Sequence, residues 1–470
     1  MSGISLVASA HEQVYSEVTP TLMGRGMAQP GPARRNREAG LVSAVSAGIA
    51  SLAFDQLDSF ALVLAGVRTD GLRTRPELVR ALGLGRNLVS QRVADLIELG
   101  LLQDGRMAPS TGGRPSRELR FRSAAGCLLV ADLGATHLQA GLTDLDGEVI
   151  DYRVEPLDIS TGPEATLDRI EQVFDEILEA RQGSASALWG IGVGLPGPVE
   201  FSRGRPMAPP IMPGWDDYPV RDRLAARYAA PAWVDNDVNV LALGELRAGI
   251  GRGEQDLLYI KVGTGIGAGL ISGGRLHRGA QGAAGDIGHV PVLDDDSVMC
   301  RCGNTGCLEA VAGGFALARD GLVAAQAGRS RLLADILNAK GALATEDVLR
   351  AAALGDQTSL GLLTRAGRLV GRTLATLVNF YNPSLIVMGG QISAADEAFL
   401  GELRRTVYGR SMALATRDLR IKTSPLGDRA GLLGAAFLVA DELFARDCLG
   451  RWISDGSPCG RADLSTPGAA

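Results

Sequence analysis

The chain has no long apolar run. None of its stretches approaches the roughly 18 consecutive apolar residues that a membrane-crossing helix needs, although 46% of the 470 residues are hydrophobic and can fill sizeable cores. The apolar-leaning stretch 41–54 is short and broken by serines, and no charged segment opens the chain, so neither a membrane span nor a secretory signal is expected. Cysteine is scarce at six, which fits reduced thiols in a cytoplasmic protein better than a disulfide framework. Cys127, Cys448 and Cys459 are expected to be ordinary free thiols. Lysine is nearly missing: Lys261, Lys340 and Lys422 stand against a Lys plus Arg total of 47, an arginine bias that matches a GC-rich genome. A net positive charge is also lacking, and −6 excludes a uniformly basic nucleic-acid coat. The basic residues are instead concentrated locally, with arginines at 106, 114, 117, 120 and 122 and Glu118 as the lone acid among them. No repeat with a period of about 20–50 residues is present.

What is there begins with the segment Gly282–Glu309. His289, Cys300, Cys302 and Cys307 follow one another as H-x10-C-x-C-x4-C. One imidazole and three thiols suit a closed tetrahedral zinc site, structural because four protein ligands leave no open position. Gly303 and Gly306 lie between the thiols, where a tight knuckle needs unusual backbone angles. Buried free cysteines beside an unrelated histidine would be the plainer explanation, but the clustering of these four residues argues against it.

Taken in order, residues 1–40 lack periodicity and are expected to be disordered. Residues 41–122 contain a compact helical module. A first helix is expected over Gln56–Ala65. Thr74, Pro76 and Glu77 form a capping box that opens a second helix, which stops at Gly83. A third helix follows as RNLVSQRVADLIELG, with Val89, Val93, Leu96 and Ile97 on one apolar stripe. Arg86, Asn87, Ser90 and Gln91 fall off that stripe. A hairpin with a Gly-Gly turn comes next. This is the pattern of a winged helix-turn-helix, in which the third helix meets base edges in the major groove. Arg can bridge guanine, and Asn and Gln can bridge adenine. Arg114, in a glycine-flanked loop, can enter a narrow minor groove.

From Ala125 onward strands and helices alternate. CLLVADLG, HLQAGLTD and GEVIDYRV read as three strands, LWGIGVGLPGPV as a further one, WVDND as the next strand end, LLYIKVGTGIGAGLI as a hairpin around Gly263, Thr264 and Gly265, and LIVMGG as a buried strand. Helices are expected over Pro163–Arg181, Phe315–Ala325, Ser330–Leu337, Thr345–Ala353, Ser359–Asn379, Asp396–Tyr408 and Leu432–Phe444. The tail 447–470 is rich in Gly, Ser, Pro and Asp and is expected to be flexible.

GDIGH followed by CRCGNTGCLE resembles the signature of the ROK family, which groups repressors, open reading frames and sugar kinases. Ser110–Pro115, at the wing, also resembles ROK repressors. The resemblance spans about Gln56–Phe444. It implies an α/β fold: a two-lobed, actin-like ATPase (ribonuclease H-like) domain over 123–446, preceded by the α-rich winged module. It implies a sugar site built from Asn236, Asp237, Asp286, His289 and Glu309, with Asp237 as the general base if the protein is a kinase. It implies nucleotide contacts at Asp132, Gly134 and Thr136, at Gly263, Thr264 and Gly265, and at Gly389 and Gly390.

Several positions depart from the family pattern. Ala135 replaces a glycine and His137 a lysine in the first phosphate turn, Asp286 is one methylene shorter than the usual Glu, Ile211 replaces an asparagine, and Gly85 replaces a capping serine. Two function classes follow. One is a sugar-responsive DNA-binding regulator with operator DNA and a sugar or sugar-phosphate effector as partners, a homodimer or homotetramer in the cytoplasm at the nucleoid. The other is an ATP- and magnesium-dependent hexose kinase with an accessory DNA-binding module. The long N-terminal extension and the altered phosphate turn favour the regulator.

Overall fold

In the computed structural model, residues 57–107, 117–181, 187–293, 297–392 and 397–466 are described and belong to one body that begins at Asp55. The expected disordered segment 1–40 and the wing tip with Arg114 lie outside the described residues. The helical module is α1 (57–68), α2 (Arg75–Leu82) and α3 (Arg86–Glu98), followed by β1 (Leu102–Met107) paired antiparallel with β2 (Arg117–Phe121). α1 runs three residues past its expected end and so brings Arg68 into play. The capping box is formed: the Thr74 hydroxyl accepts the Glu77 N–H at 3.4 Å, and the Glu77 carboxylate accepts the Thr74 N–H at 3.0 Å. Gly83 ends α2 at φ +67°, a left-handed conformation that glycine adopts without strain. Val89, Val93 and Leu96 are fully buried, so the apolar stripe fixes which face of α3 points inward.

The rest of the body holds two sheets with the same strand order. The first runs β5-β4-β3-β6-β9, from β3 (Cys127–Leu133), β4 (His137–Asp144), β5 (Val149–Pro156), β6 (Leu188–Leu195) and β9 (Ala232–Asn236). The second runs β12-β11-β10-β13-β14, from β10 (Leu257–Val262), β11 (Ile266–Ser272), β12 (Arg275–Leu276), β13 (Leu385–Gly389) and β14 (Arg420–Thr423). A small hairpin of β7 (Val199–Glu200) and β8 (Arg205–Pro206) lies between β6 and β9 in sequence. In each sheet an antiparallel meander joins a parallel pair of crossover strands. The central parallel strands β6 and β13 are apolar throughout because helices cover the sheet, whereas the edge strand β14 buries only Ile421. α4 (Pro163–Glu179) and α5 (Val220–Tyr228) cover the first sheet, sharing one core with it. α7 (Leu308–Ala312), α8 (Gly314–Gln326), α9 (Arg331–Lys340), α10 (Thr345–Ala353), α11 (Gln357–Tyr381) and α12 (Glu397–Arg410) belong to the second lobe.

Two helices run along the junction. α6 (Asp237–Ala248) and α13 (Arg429–Leu443) pack on each other at glycine contacts: a Cβ at Gly434 would strike the Val240 carbonyl, and one at Gly244 the Ala430 carbonyl. The expectation of a flexible tail over 447–470 is corrected for its described part. α14 (Arg446–Trp452) and the turns up to Thr466 pack down, with Trp452 fully buried and its indole N–H donating to the Leu443 carbonyl at 3.0 Å. Three spaced side chains, Leu449, Trp452 and Leu464, do this, and so few apolar residues left no periodic signal. The same core takes in Val63, Leu64, Leu78, Val93 and Leu96 of the helical module together with Trp189, Phe444 and Trp452, so the module is joined to the first lobe by a continuous apolar core.

Candidate functional site

The ends of β3, β9, β10 and β13 face a cavity of about 570 Å³ between the lobes. The sugar-site candidates Asn236, Asp237, Asp286, His289 and Glu309 all line it, as do the nucleotide candidates Asp132, Gly134, Thr136, Gly263, Thr264, Gly265, Gly389 and Gly390. The fold therefore collects positions up to about 260 residues apart into one cleft, a common arrangement at strand ends.

Their local roles differ. Asn236 caps α6: its carbonyl oxygen accepts the Val238 and Asn239 N–H groups at 2.9 and 3.3 Å, while its amide donates to the Gly197 carbonyl at 2.8 Å. Most of its hydrogen-bonding capacity is thus spent on the scaffold, which narrows its part in sugar binding to one remaining N–H. Asp237 is buried and accepts a short 2.5 Å bond from the Lys261 ammonium. Glu309 accepts the Ile266 N–H at 3.0 Å, and a Cβ at Gly265 would stand 2.5 Å from its carboxylate, so this turn needs glycine for the acid to lie there. Burial raises the pKa of Glu309 and of Asp286, the latter opposed by His289. Ile211 lines the wall and adds no polar contact.

The nucleotide half is crowded. A Cβ at Gly134 would run into the His137 ring, which places the imidazole across the first phosphate turn. Burial, with the charge of Lys261 adding to it, lowers the His137 pKa and holds the ring neutral. Gly389 leaves room for the Tyr259 hydroxyl, and Gly390, at φ +83°, for the Val262 backbone. These two glycines thus have packing reasons of their own, and their expected service to a nucleotide is not needed to explain them. Burial pushes Asp132 up to about 7, with Lys261 opposing and Asp237 and Asp428 adding to the rise. Lys261 is the cleft residue that the motifs did not mark. The available signal was its rarity, as one of three lysines, just before the Gly263-Thr264-Gly265 turn.

Beside the cleft, the ligand atoms of His289, Cys300, Cys302 and Cys307 lie within 4.8 Å of one another. The Cys300 sulfur is 3.5 Å from His289 Nδ1, and the Cys302 and Cys307 sulfurs are 3.8 Å apart. Zinc–sulfur bonds of about 2.3 Å in a tetrahedron require sulfur separations of about 3.8 Å, so the donor set and its spacing fit a zinc ion. With Nδ1 turned to the thiols, Nε2 faces Asp286 Oδ1 at 3.8 Å, too long for a hydrogen bond but on the cleft side. On the helical module, Arg86, Asn87, Ser90 and Gln91 are all exposed on α3. Arg92, on the opposite face, is buried and donates to Ser59 of α1 at 2.8 Å, which fixes the orientation of the exposed face.

Comparison with known proteins agrees with this architecture. The ROK family model matches residues 128–442. The chain belongs to the ROK family. This ROK protein is 29% identical to the xylose repressor of Caldicellulosiruptor bescii over 384 residues, 82% of this chain and 96% of the repressor. It is 31% identical to the glucokinase of Thermotoga maritima over 316 residues, 67% of this chain and 98% of that enzyme. The repressor alignment is thus 68 residues longer (384 against 316). Among solved structures, it resembles a ROK family transcriptional regulator, homologue of the E. coli MLC protein, with a TM-score of 0.71 at 23% identity over 88% of this chain and 99% of that one, which establishes the fold. It also resembles the ROK family glucokinase of Streptomyces griseus in complex with glucose and AMPPNP, with a TM-score of 0.59 at 29% identity over 67% of this chain and 99% of that one. The winged module followed by a two-lobed ROK domain is the architecture expected from the motifs. Among the described residues, no helix is long and apolar enough to cross a membrane.

Proposed function

We propose that this ROK protein is a sugar-responsive transcriptional repressor. The observation that carries the reading is the joining of a helix-turn-helix with an exposed Arg86–Asn87–Ser90–Gln91 face to the cleft-bearing domain by one apolar core. A kinase has no use for that surface, and the repressor relative covers 82% of the chain where the glucokinase relative covers 67%. Asp237, Asp286, His289 and Glu309 are the sugar contacts in this reading, with Asn236 holding the start of α6. One zinc ion sits in the Cys3His set and fixes the His289 loop. Operator DNA is read by α3, with Arg114 in the flanking minor groove, by a homodimer on a two-fold-related site. Sugar and DNA affinities must change each other by the same factor.

The kinase reading is retained for one reason: Asp237 is present at the place of the general base. A selection from random DNA followed by anisotropy titration, with and without pentoses and hexoses, tests the repressor. One sugar is expected to change the DNA affinity about ten-fold or more, a coupling of the usual allosteric size. The reading fails if no sequence-selective DNA binding is found, or if sugar-dependent ATP turnover of about 1–100 per second, typical of kinases, is abolished by Asp237→Asn.

A further inference from the structure

The cleft has an uneven charge. Asp132, Asp237, Asp286, Glu309 and Asp428 line it, and the only lysine or arginine among its described lining residues is Lys261. Lys261 stands on β10 of the second lobe. Its ammonium donates at 2.5 Å to Asp237, which follows directly on β9 of the first lobe. The ion pair therefore crosses the cleft. Asp132, at the end of β3, is 5% exposed and keeps a buried oxygen, Oδ1, with no hydrogen-bond partner. Its other oxygen lies against Gly431 in the first turn of α13, where a Cβ would strike it. An ammonium has three N–H donors, and Asp237 takes one of Lys261's.

We propose that Lys261 is a tethered cation that stands where a nucleotide's metal ion would otherwise be held by Asp132 and Asp237, latching the lobes together and leaving a cleft that takes an uncharged sugar without nucleotide or divalent cation. The choice of ligand rests on the sugar-repressor reading above, whereas the role of Lys261 does not. The donor set does not fit a magnesium–nucleotide complex. A divalent ion at Asp132 and Asp237 would face the Lys261 ammonium across the same oxygens. A triphosphate would meet the His137 ring over the Gly134 turn and three further carboxylates with no arginine in the cleft lining; Arg301, which lines the adjoining pocket, offsets part of the charge of Glu309. Although burial opposes its charge, Lys261 is held protonated by Asp237 and Asp132, so the latch is ionised at neutral pH. The same surplus of acids disfavours a sugar phosphate, which narrows the expected effector to an uncharged sugar.

The test uses the zinc-loaded full-length protein. Manganese is titrated in the presence of AMPPNP and followed by electron paramagnetic resonance. The wild type is expected to form no cleft-bound manganese–nucleotide complex up to millimolar metal. Lys261→Met is expected to gain one, at least about ten-fold tighter than any wild-type binding, and the gain should vanish when Asp132→Asn is added. Lys261→Arg keeps the cation and should behave as the wild type. In a parallel calorimetric titration, the wild-type affinity for its sugar should be unchanged by magnesium–AMPPNP. The proposal is overturned if the wild type binds the manganese–nucleotide complex as tightly as Lys261→Met does, or if magnesium–AMPPNP tightens sugar binding about ten-fold. If no sugar binds under any condition, the sugar-repressor reading fails, while the manganese arm still decides the role of Lys261.

Discussion

Asp132 shows how burial sets what a carboxylate is able to do. Its pKa is pushed up from 3.8 to about 7, first by burial, with Lys261 opposing. The folded protein therefore holds this proton more tightly than the unfolded chain, and stability falls as pH rises through that window. Asp132→Asn removes the effect. Urea melts at about pH 5 and 8 should show the variant gaining on the wild type as pH rises, by at most about 3 kcal/mol between those two pH values. A constant difference between the two would contradict the buried, raised carboxyl. At His289 the relevant chemistry is orientation: Nδ1 faces the thiols and Nε2 the cleft. Metal analysis should find one zinc per chain, lost in Cys302→Ala. Structural zinc contributes roughly 10–16 kcal/mol in small peptides, but here the loop only edges a large core, on which Val292, Leu293 and Val298 pack. Cys302→Ala should therefore lose the sugar response while keeping a cooperative melt. Wild-type protein without zinc, its three thiols freely titrating, would end this claim.

Among the elements, α3 has a buried stripe that fixes its place in the fold and an exposed face on which the proposed DNA contacts fall. Its start has a weakness: Gly85 makes no side-chain cap bond, its backbone is extended, and a Cβ there would meet nothing within 4 Å. Gly85→Ser should raise stability by a few tenths of a kcal/mol, measurable as a small rise in denaturation midpoint with unchanged slope. On the exposed face, Asn87→Ala and Gln91→Ala should each cost about 1–3 kcal/mol of specific DNA binding for a bidentate contact and relax one base position. If the double variant kept the selected consensus and affinity, α3 would not be the reading helix.

At the scale of the whole molecule, α6 and α13 link the cleft to the helical module. α6 starts in the cleft at Asp237 and ends beside Arg247. Asp441 on α13 accepts from Arg247 at 2.7 Å and from Arg68 of α1 at 2.9 Å. Burial opposes its charge, yet the two guanidinium groups hold its carboxyl below the ordinary value, so it is ionised under physiological conditions. Arg68 also lies over the Phe444 ring at 5.3 Å. In the repressor reading, movement of the lobes about these helices would reach α1 through Asp441 and Arg68, and α3 through the Arg92–Ser59 bond. Asp441→Asn should leave sugar and DNA affinities, measured separately, within a few-fold of wild type. It should shrink the coupling between them, normally about 1–3 kcal/mol. Anisotropy titrations at saturating sugar give that coupling, and an undiminished value would remove Asp441 from the path.

The local features were legible in the sequence because short-range physics sets them. The capping box at Thr74, the stop at Gly83, the apolar stripe of α3, the helix Thr345–Ala353 and the Cys3His spacing each depend on residues a few positions apart, and all are present as expected. The ROK motifs likewise marked strand ends that the fold brings to one cleft. Tertiary structure alone decided what those residues then meet. That Lys261 bonds Asp237, that the Asn236 amide donates to the Gly197 carbonyl and that Asp441 joins Arg68 to Arg247 are contacts between elements distant in sequence. The tail to Thr466 was misjudged for the same reason. Its order comes from burying Trp452 against Trp189 and Phe444, and a lone side chain finding a distant core leaves no periodic trace in the chain that carries it.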